Sequence, residues 1–171
     1  MGTGILSVSA QLPILLTDKH GEPFIIREFE STDRLALHRM YLDFLPKRAA
    51  QGLPPESECA QSRWLDHVLK GGIHLLVEVD DVVQGHLMLI PMDNESSIEL
   101  AIYLNQAIRG RGIGTAMNKL AVNIARLKGY QKVWLSVEVT NVPAIKSYQK
   151  AGFKRTPATM WAHEIEMEVI F

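Results

Sequence analysis

The stretch from Asn105 to Thr115 carries the residues with the strongest chemical signal in the chain, Asn-Gln-Ala-Ile-Arg-Gly-Arg-Gly-Ile-Gly-Thr. It lies between a strand-like run, residues 98–104, and a helical run, residues 113–128. A glycine-rich turn from strand to helix leaves backbone N–H groups free at the first helical turn, where the helix dipole is positive. The stretch is therefore typical of an anion-binding turn, most often one for phosphate.

The glycines and arginines of this turn support that interpretation. Gly112 and Gly114 lack Cβ atoms, so a ligand can approach the backbone closely, and Arg109 and Arg111 add charged donors. The alternative is a tight turn with solvated arginines. Two common nucleotide motifs do not fit, because Thr115 stands where a dinucleotide fingerprint needs its third glycine, and the chain has no Gly-Lys-Ser/Thr for a P-loop.

The spacing Arg109-x-x-Gly112-x-Gly114 resembles the pyrophosphate loop of the GNAT superfamily of N-acetyltransferases, which bind acetyl-coenzyme A (acetyl-CoA). A second segment, residues 141–153, resembles that family's later signature, with its Asn141 and, seven residues on, its Tyr148. The two signatures stand in the family's order. The resemblance covers residues 73–171 well and the first 70 residues loosely.

The resemblance implies roles for named residues. The backbone N–H groups from 110 to 115 would hold the pyrophosphate, and backbone groups of residues 102–104 would bind the pantetheine amides, with ordinary sheet pairing as the alternative. For Asn141, helix capping is the alternative to a contact with the pantetheine or phosphate arm. The implied acetyl-CoA-binding residues are Ile102, Tyr103, Leu104, Arg109, Gly110, Arg111, Gly112, Ile113, Gly114, Thr115, Asn141 and Tyr148.

Catalysis would need a general acid and a general base. The resemblance places Tyr148 near the thioester sulfur, where it would protonate the departing thiolate; packing in the core is the alternative. Glu99 is the candidate base, with a solvated strand-edge charge as its alternative. Some family members carry a catalytic glutamate where this chain has Ser136, and Glu138 is a weaker substitute. Both His74 and His86 are interpreted as structural residues.

Hydrophobic periodicity predicts alternating strands and helices. Strands are predicted over residues 73–79, 82–90, 98–104, 132–139, 153–156 and 161–171, after a hairpin over residues 12–29. Helices are predicted after caps at residues 31–33, after Ser57, over residues 113–128, and from Asn141 to Gly152. In the last strand, Glu164, Glu166 and Glu168 alternate with apolar residues and are interpreted as a solvated face.

These elements predict an α/β (α+β) fold with a sheet packed on both faces. The family resemblance sharpens this to a mixed, largely antiparallel sheet of six to seven strands with about four helices, whose central strands splay apart to admit the pantetheine arm. We expect a single N-acetyltransferase domain over residues 1–171, with residues 1–22 as a possible N-terminal extension that adds a hairpin strand.

Composition excludes several classes of protein. With 47% hydrophobic and 22% charged residues, the 171-residue chain has ordinary globular composition. Its net charge of −1 gives no support for binding nucleic acid or an anionic membrane, and the sequence shows no membrane span and no signal peptide. One cysteine, Cys59, fits a reducing compartment, so the cytoplasm is expected. No metal site is expected, because the histidines and the cysteine show no ligand spacing.

Together these observations predict an acetyltransferase that uses acetyl-CoA to acetylate a primary amine by direct attack, acting as a monomer or homodimer. The acceptor is left open between a protein lysine or N-terminal amine and a small-molecule amine. The alternative function is a non-catalytic acyl-CoA-binding sensor or regulatory module. Tyr148 argues against that module, and Ser136 in place of a glutamate argues slightly for it.

Overall fold

One mixed sheet of eight strands, flanked by four helices, organises the residues that the computed structural model describes, which are 12–47, 52–94, 96–157 and 163–171. The helices are α1 (Arg34–Asp43), α2 (Glu58–Val68), α3 (Ile113–Leu127) and α4 (Val142–Lys150). The strands are β1 (Ile14–Thr17), β2 (Pro23–Glu28), β3 (Ile73–Val79), β4 (Val82–Pro91), β5 (Ser97–Leu104), β6 (Lys132–Glu138), β7 (Lys154–Arg155) and β8 (Glu164–Ile170).

The strand order across the sheet is β1-β2-β3-β4-β5-β6-β8-β7. Every neighbouring pair is antiparallel except β5 and β6, which run parallel. The predicted fold class is confirmed. The family resemblance implied six to seven strands, whereas the described sheet has eight, including the short β1 at one edge and the two-residue β7 at the other. Both edge strands fall within the hairpin and the strand predicted from the sequence.

Local sequence signals account for where several elements begin. The predicted hairpin is formed by β1 and β2, and Asp18 shapes its turn by accepting the N–H groups of His20 and Glu22. Ser57 caps α2 by accepting the Ala60 N–H at 3.2 Å. The predicted caps at residues 31–33 form a 3₁₀ turn, and α1 begins directly after it with Asp33 at its N-cap position, although the Asp33 side chain makes no cap bond to α1. This turn contains the reciprocal side-chain and backbone bonds of a capping box.

The core divides into two clusters, one on each face of the sheet. The first packs α3 and α4 against β5 residues such as Leu100 and against the buried residues of β6 and β8. The second packs α1 and α2 against β3, β4 and Tyr103 of β5. Because successive side chains of a strand point to opposite faces, neighbouring positions in β5 supply groups to different sides of the molecule.

The parallel pair β5–β6 is the one place where the sheet opens. The two strands pair only at Ser97–Lys132, Ile98–Val133 and Glu99–Trp134. Beyond these pairs β5 continues to residue 104 and β6 to residue 138 without further pairing to each other. One backbone edge of β5 is therefore left without a strand partner among the described residues, as the expected splay requires.

Candidate active site

The turn between β5 and α3 leaves a group of backbone donors without protein partners. The first helical bond of α3 runs from the Ala116 N–H to the Gly112 carbonyl at 3.2 Å. None of the N–H groups of residues 110–115 donates to an acceptor within the described part of the chain. These donors stand at the positive end of a 15-residue helix. The turn therefore has the properties of an anion-binding site.

Gly110 and Gly112 permit this conformation. Their φ angles are +73° and +85°, in the left-handed region that glycine adopts without steric cost. A Cβ atom at either position would meet nothing within 4 Å, so open space adjoins the backbone here.

The structure gives a different reason for a glycine at position 114 from the one suggested by the sequence. A Cβ atom there would lie 3.2 Å from Leu104 Cδ1 and 3.6 Å from Ser147 Oγ. The missing side chain thus lets α3 pack closely against the end of β5 and against α4. Thr115 extends the same contact, with its Oγ1 3.0 Å from Ser147 Oγ. The absent Cβ atom of Gly114 therefore serves packing, while a role of its backbone N–H in ligand binding stays a prediction.

Arg111 is held by the hairpin at the edge of the sheet. Its Nε donates to Asp18 Oδ2, and its carbonyl accepts the Lys19 N–H at 3.1 Å. Burial alone would raise the pKa of Asp18, but the hydrogen bonds from Arg111 and from two backbone N–H groups outweigh it and lower that pKa to about 2. This pair ties the β1–β2 hairpin to the glycine-rich turn. Sequence reasoning missed Asp18, since nothing local marks a partner 93 residues away.

Arg109 also has protein partners. Its Nε donates to the Leu104 carbonyl at 2.9 Å, its Nη2 donates to the Leu45 carbonyl, and its guanidinium lies 5.0 Å from the centroid of the Phe44 ring. We expected the side chains of Arg109 and Arg111 to face phosphate. Both instead anchor the turn to neighbouring elements, so the turn itself offers backbone donors.

Residues 102–104 lie on the part of β5 that has left β6. Their other edge is paired with β4, in the register Leu87–Ile102, His86–Tyr103 and Gly85–Leu104. A Cβ atom at Gly85 would lie 2.7 Å from Leu104 Cδ2 and 3.3 Å from the Val77 side chain, so these two side chains occupy the space beside this glycine. The free edge of these residues faces the opening.

Tyr148 lies in α4 beside that opening. Its side chain is only 7% exposed, and its ring packs edge-on against Phe153 at a centroid distance of 5.7 Å. Its hydroxyl has no hydrogen-bond partner among the described residues. Burial, and secondarily the phenol of Tyr103, raises the pKa of Tyr148 above its ordinary value. The phenol is therefore protonated at neutral pH and retains a proton to donate.

Glu99 lies at the last paired position of β5, beside Trp134 of β6. Its side chain reaches solvent, yet partial burial by its neighbours raises its pKa. The carboxylate also raises the pKa of Tyr103, after burial, which is the larger cause. Ser136 is exposed on the same face of the adjacent strand and donates to Glu164 Oε2 at 2.8 Å. The structure thus brings Glu99 to the apex of the opening.

His74 and His86 form a buried hydrogen-bond chain with Tyr41. His74 Nε2 lies 2.8 Å from the Gly71 carbonyl, His74 Nδ1 lies 3.0 Å from His86 Nε2, and His86 Nδ1 lies 2.6 Å from the Tyr41 hydroxyl. Because the carbonyl only accepts, one set of neutral tautomers satisfies the chain, with Tyr41 donating to His86 and His86 donating to His74. Burial lowers the pKa of both histidines, that of His86 to about 3. The interpretation of both as structural residues agrees with this geometry.

Asn141 caps α4. Its Oδ1 accepts the Ala144 N–H at 3.3 Å, as expected from the sequence. The residue is exposed at the end of β6 that has diverged from β5. Capping therefore accounts for its side chain in this structure.

Comparison with known proteins decides the family. The model of the acetyltransferase (GNAT) family matches residues 34–153, which contain the glycine-rich turn, β5, β6 and α4. This protein belongs to the GNAT acetyltransferase family. The family that the sequence resembled is thereby confirmed.

Individual relatives resemble parts of this acetyltransferase. The mycothiol acetyltransferase of Corynebacterium glutamicum (strain R) is 44% identical over 50 residues, which cover 29% of this chain and 17% of that protein. Human N-acetyltransferase 8B is 25% identical over 122 residues, which cover 67% of this chain and 49% of that protein. The matched segments thus span less than half of these curated relatives.

Solved structures of low identity share the fold of the acetyltransferase. The GNAT domain of S. lividans PAT has a TM-score of 0.80 at 17% identity, covering 95% of this chain and 98% of that one. The putative acetyltransferase yncA from Salmonella typhimurium, solved with its cofactor acetyl-CoA, has a TM-score of 0.68 at 18% identity, covering 86% of this chain and 93% of that one.

The described residues offer neither a membrane-spanning helix nor a metal site. Among the described residues, every helix is too short or too polar to cross a bilayer. The same residues contain no group of three or more histidine, cysteine, aspartate or glutamate side chains placed to hold a metal ion.

Proposed function

We propose that this GNAT acetyltransferase transfers an acetyl group from acetyl-CoA to a primary amine in a single direct step. The observation that carries the proposal is the set of partnerless N–H groups at residues 110–115, placed where β5 and β6 diverge. An anion-binding turn beside an open strand edge suits a ligand with a phosphate end and an amide-containing arm. One domain over residues 1–171 would carry this activity, and the single Cys59 fits action in the cytoplasm.

Donor binding would depend mainly on backbone groups. The N–H groups of residues 110–115 would hold the pyrophosphate, and the free edge of residues 102–104 would bind the pantetheine amides as an added strand would. Arg109 and Arg111 would act by holding the turn in place through their protein contacts. Asn141 would add a contact from the first turn of α4.

Two side chains would move protons. When bound, acetyl-CoA supplies a thioester whose carbonyl carbon accepts the amine nitrogen. The C–N bond forms as the C–S bond breaks, the amine proton passes to the Glu99 carboxylate, and the Tyr148 hydroxyl protonates the departing sulfur. The raised pKa of Tyr148 keeps that proton available, and the raised pKa of Glu99 brings the base closer to neutral pH.

Thiol release from acetyl-CoA, measured with and without a panel of primary amines, tests the proposal. Release that depends on an amine, with the acetylated amine identified by mass spectrometry, is the expected result. Tight acetyl-CoA binding without release for any amine would replace this proposal by the acyl-CoA-binding module. The absence of acetyl-CoA binding would contradict both functions.

A further inference from the structure

The sheet face that carries Glu99 continues across β6 and β8 as an acidic surface. Glu99 of β5 is in register with Trp134 of β6. In the next strand pair, Ser136 of β6 lies opposite Glu166 of β8, and Glu138 lies opposite Glu164. Residues directly opposite in neighbouring strands share a face of the sheet. Apolar residues of β8 fill the core on the other face. The glutamates of β8 therefore lie on the same face as the candidate base.

Charge on this surface is neutralised at one end. Glu168 lies 3.5 Å from Lys132 Nζ and is directly opposite Lys154 of β7. This end of β6 is also where β6 is paired with β5, since Lys132 is in register with Ser97. The closed end of the strand pair therefore carries balanced charge.

At the open end, Glu164 and Glu166 have neutral partners among the described residues. Glu164 accepts a hydrogen bond from the Ser136 hydroxyl at 2.8 Å, and Glu166 accepts one from Trp134 Nε1 at 3.4 Å. Both donors are neutral, and neither glutamate forms an ion pair with a cation in the described part of the chain. The two carboxylates lie opposite the stretch of β6 that has diverged from β5. Negative charge thus collects on the side of the opening.

Two buried phenols lie at the same opening. Tyr103 is 8% exposed and Tyr148 is 7% exposed, and neither hydroxyl has a hydrogen-bond partner among the described residues. They are close enough that Tyr103 contributes to the raised pKa of Tyr148, and Glu99 contributes to that of Tyr103. Buried polar groups normally have partners. Neither of these two hydroxyl oxygens is among the fully enclosed unpaired atoms of the described residues, so both remain accessible from the opening, where a ligand can bond to them.

We propose that the acidic surface formed by Glu99, Glu164 and Glu166 selects small acceptors that carry a second positive charge besides the amine to be acetylated, that is, di- or polyamines. This inference rests on the proposed function. Alternate residues of a strand lie roughly 7 Å apart, so Glu164 and Glu166 form a short negative track that runs along β8 toward Glu168, which lies across Trp134 from Glu99. Such a track raises the local concentration of a cation. The half-buried Trp134 adds a ring face to which an ammonium group is attracted.

A matched pair of acceptors tests the charge requirement. 1,4-Diaminobutane and butylamine have the same four-carbon chain, but the diamine carries one more charge at neutral pH. We expect kcat/KM for 1,4-diaminobutane to exceed that for butylamine by about tenfold or more, after correction for its two equivalent amino groups. Raising ionic strength should shrink this ratio because salt screens exposed charges.

A double variant, Glu164→Gln with Glu166→Gln, tests whether the acidic surface causes the preference for the diamine. It keeps acceptor oxygens for Ser136 and Trp134 and should lower the diamine-to-butylamine ratio about tenfold. The control is Glu28→Gln. Glu28 is an exposed carboxylate on β2, and its alternate neighbours along that strand pack in the core on the sheet face opposite the acidic surface. It changes net charge in the same direction and should leave the ratio unchanged.

Equal kcat/KM for the two amines, or a ratio that survives the double variant, would overturn the inference and leave the proposed function standing. Turnover of butylamine together with failure of 1,4-diaminobutane to bind in isothermal titration would also overturn it. Loss of thiol release with every amine would instead contradict the proposed function, and this inference with it.

Discussion

In the proposed function, the donor side and the acceptor side of the protein are built from different kinds of groups. The turn at residues 110–115 presents backbone N–H groups, and its arginine side chains are used to hold it to its neighbours. The opposite side presents side chains, namely Glu99, the aromatic cluster around Tyr103 and the carboxylates of β8. Backbone donors fit any ligand with the same phosphate end, whereas side chains can be exchanged without disturbing the turn. With this division, substitutions on the acceptor side would leave the proposed donor site intact.

The largest effect should come from placing a charged side chain at Gly112. Gly112→Glu puts a carboxylate in the open space beside the partnerless donors, and we expect acetyl-CoA affinity to fall by more than about 100-fold. Isothermal titration measures the affinity. Since φ is +85° here, any side chain adds strain, so Gly112→Ala is the matched control and should retain most binding. Undiminished affinity in folded Gly112→Glu would refute the assignment of the donor site.

Removing the Tyr148 hydroxyl should lower the rate without weakening donor binding. Tyr148→Phe keeps the ring that packs on Phe153 and removes only the proton donor, so kcat should fall roughly 10²- to 10⁴-fold. Stopped-flow or steady-state thiol release gives the rate, and titration gives the acetyl-CoA affinity. A rate equal to that of the unaltered protein would mean that this tyrosine only packs.

The Glu99→Gln variant distinguishes the role of the general base from that of the general acid, Tyr148. Burial raises the pKa of Glu99, so the base is lost by protonation as pH falls through that raised value, and kcat/KM should fall with it. The variant should lack this acidic limb and regain activity at high pH, where the amine deprotonates unaided. Tyr148→Phe should keep the limb. An acidic limb retained in Glu99→Gln would assign the base elsewhere.

The smallest effect on acetyl-CoA binding should come from a substitution in the buried core of the acceptor side. Tyr41→Phe leaves His86 Nδ1 without its donor, and an unsatisfied buried acceptor costs about 1–3 kcal/mol of unfolding free energy. Urea denaturation measures this loss, which should come with less than about a twofold change in acetyl-CoA affinity. A large change in affinity would show that the two sides are coupled through the sheet.

The difference between the two sides also decides what the sequence could predict. Glycine positions with φ above zero are local requirements, so Gly110 and Gly112 and the helix that follows them could be predicted from spacing. The Arg111–Asp18 contact joins residues 93 apart in the chain, and it exists only because the hairpin folds beside the turn. From the sequence alone, Arg111 was predicted to donate hydrogen bonds to phosphate.

Strand register explains the other differences. Alternation predicted that Glu164 and Glu166 share one face, but only the order β5-β6-β8 places that face beside Glu99. Gly114 was interpreted by its motif, whereas its neighbours Leu104 and Ser147 make it a packing residue. Both short edge strands fall in predicted elements, β1 in the hairpin over residues 12–29 and β7 in the strand over residues 153–156; the count of six to seven strands came from the family resemblance and was too low.

Hydrogen exchange of the backbone amides tests the central claim most directly. The N–H groups of residues 110–115 have no acceptor in the described structure, so they should exchange rapidly and become protected when acetyl-CoA is added. The first amides of α2, at residues 58 and 59, also begin a helix and provide the control; acetyl-CoA should leave their exchange unchanged. Acetyl-CoA binding without protection at residues 110–115 would contradict the account.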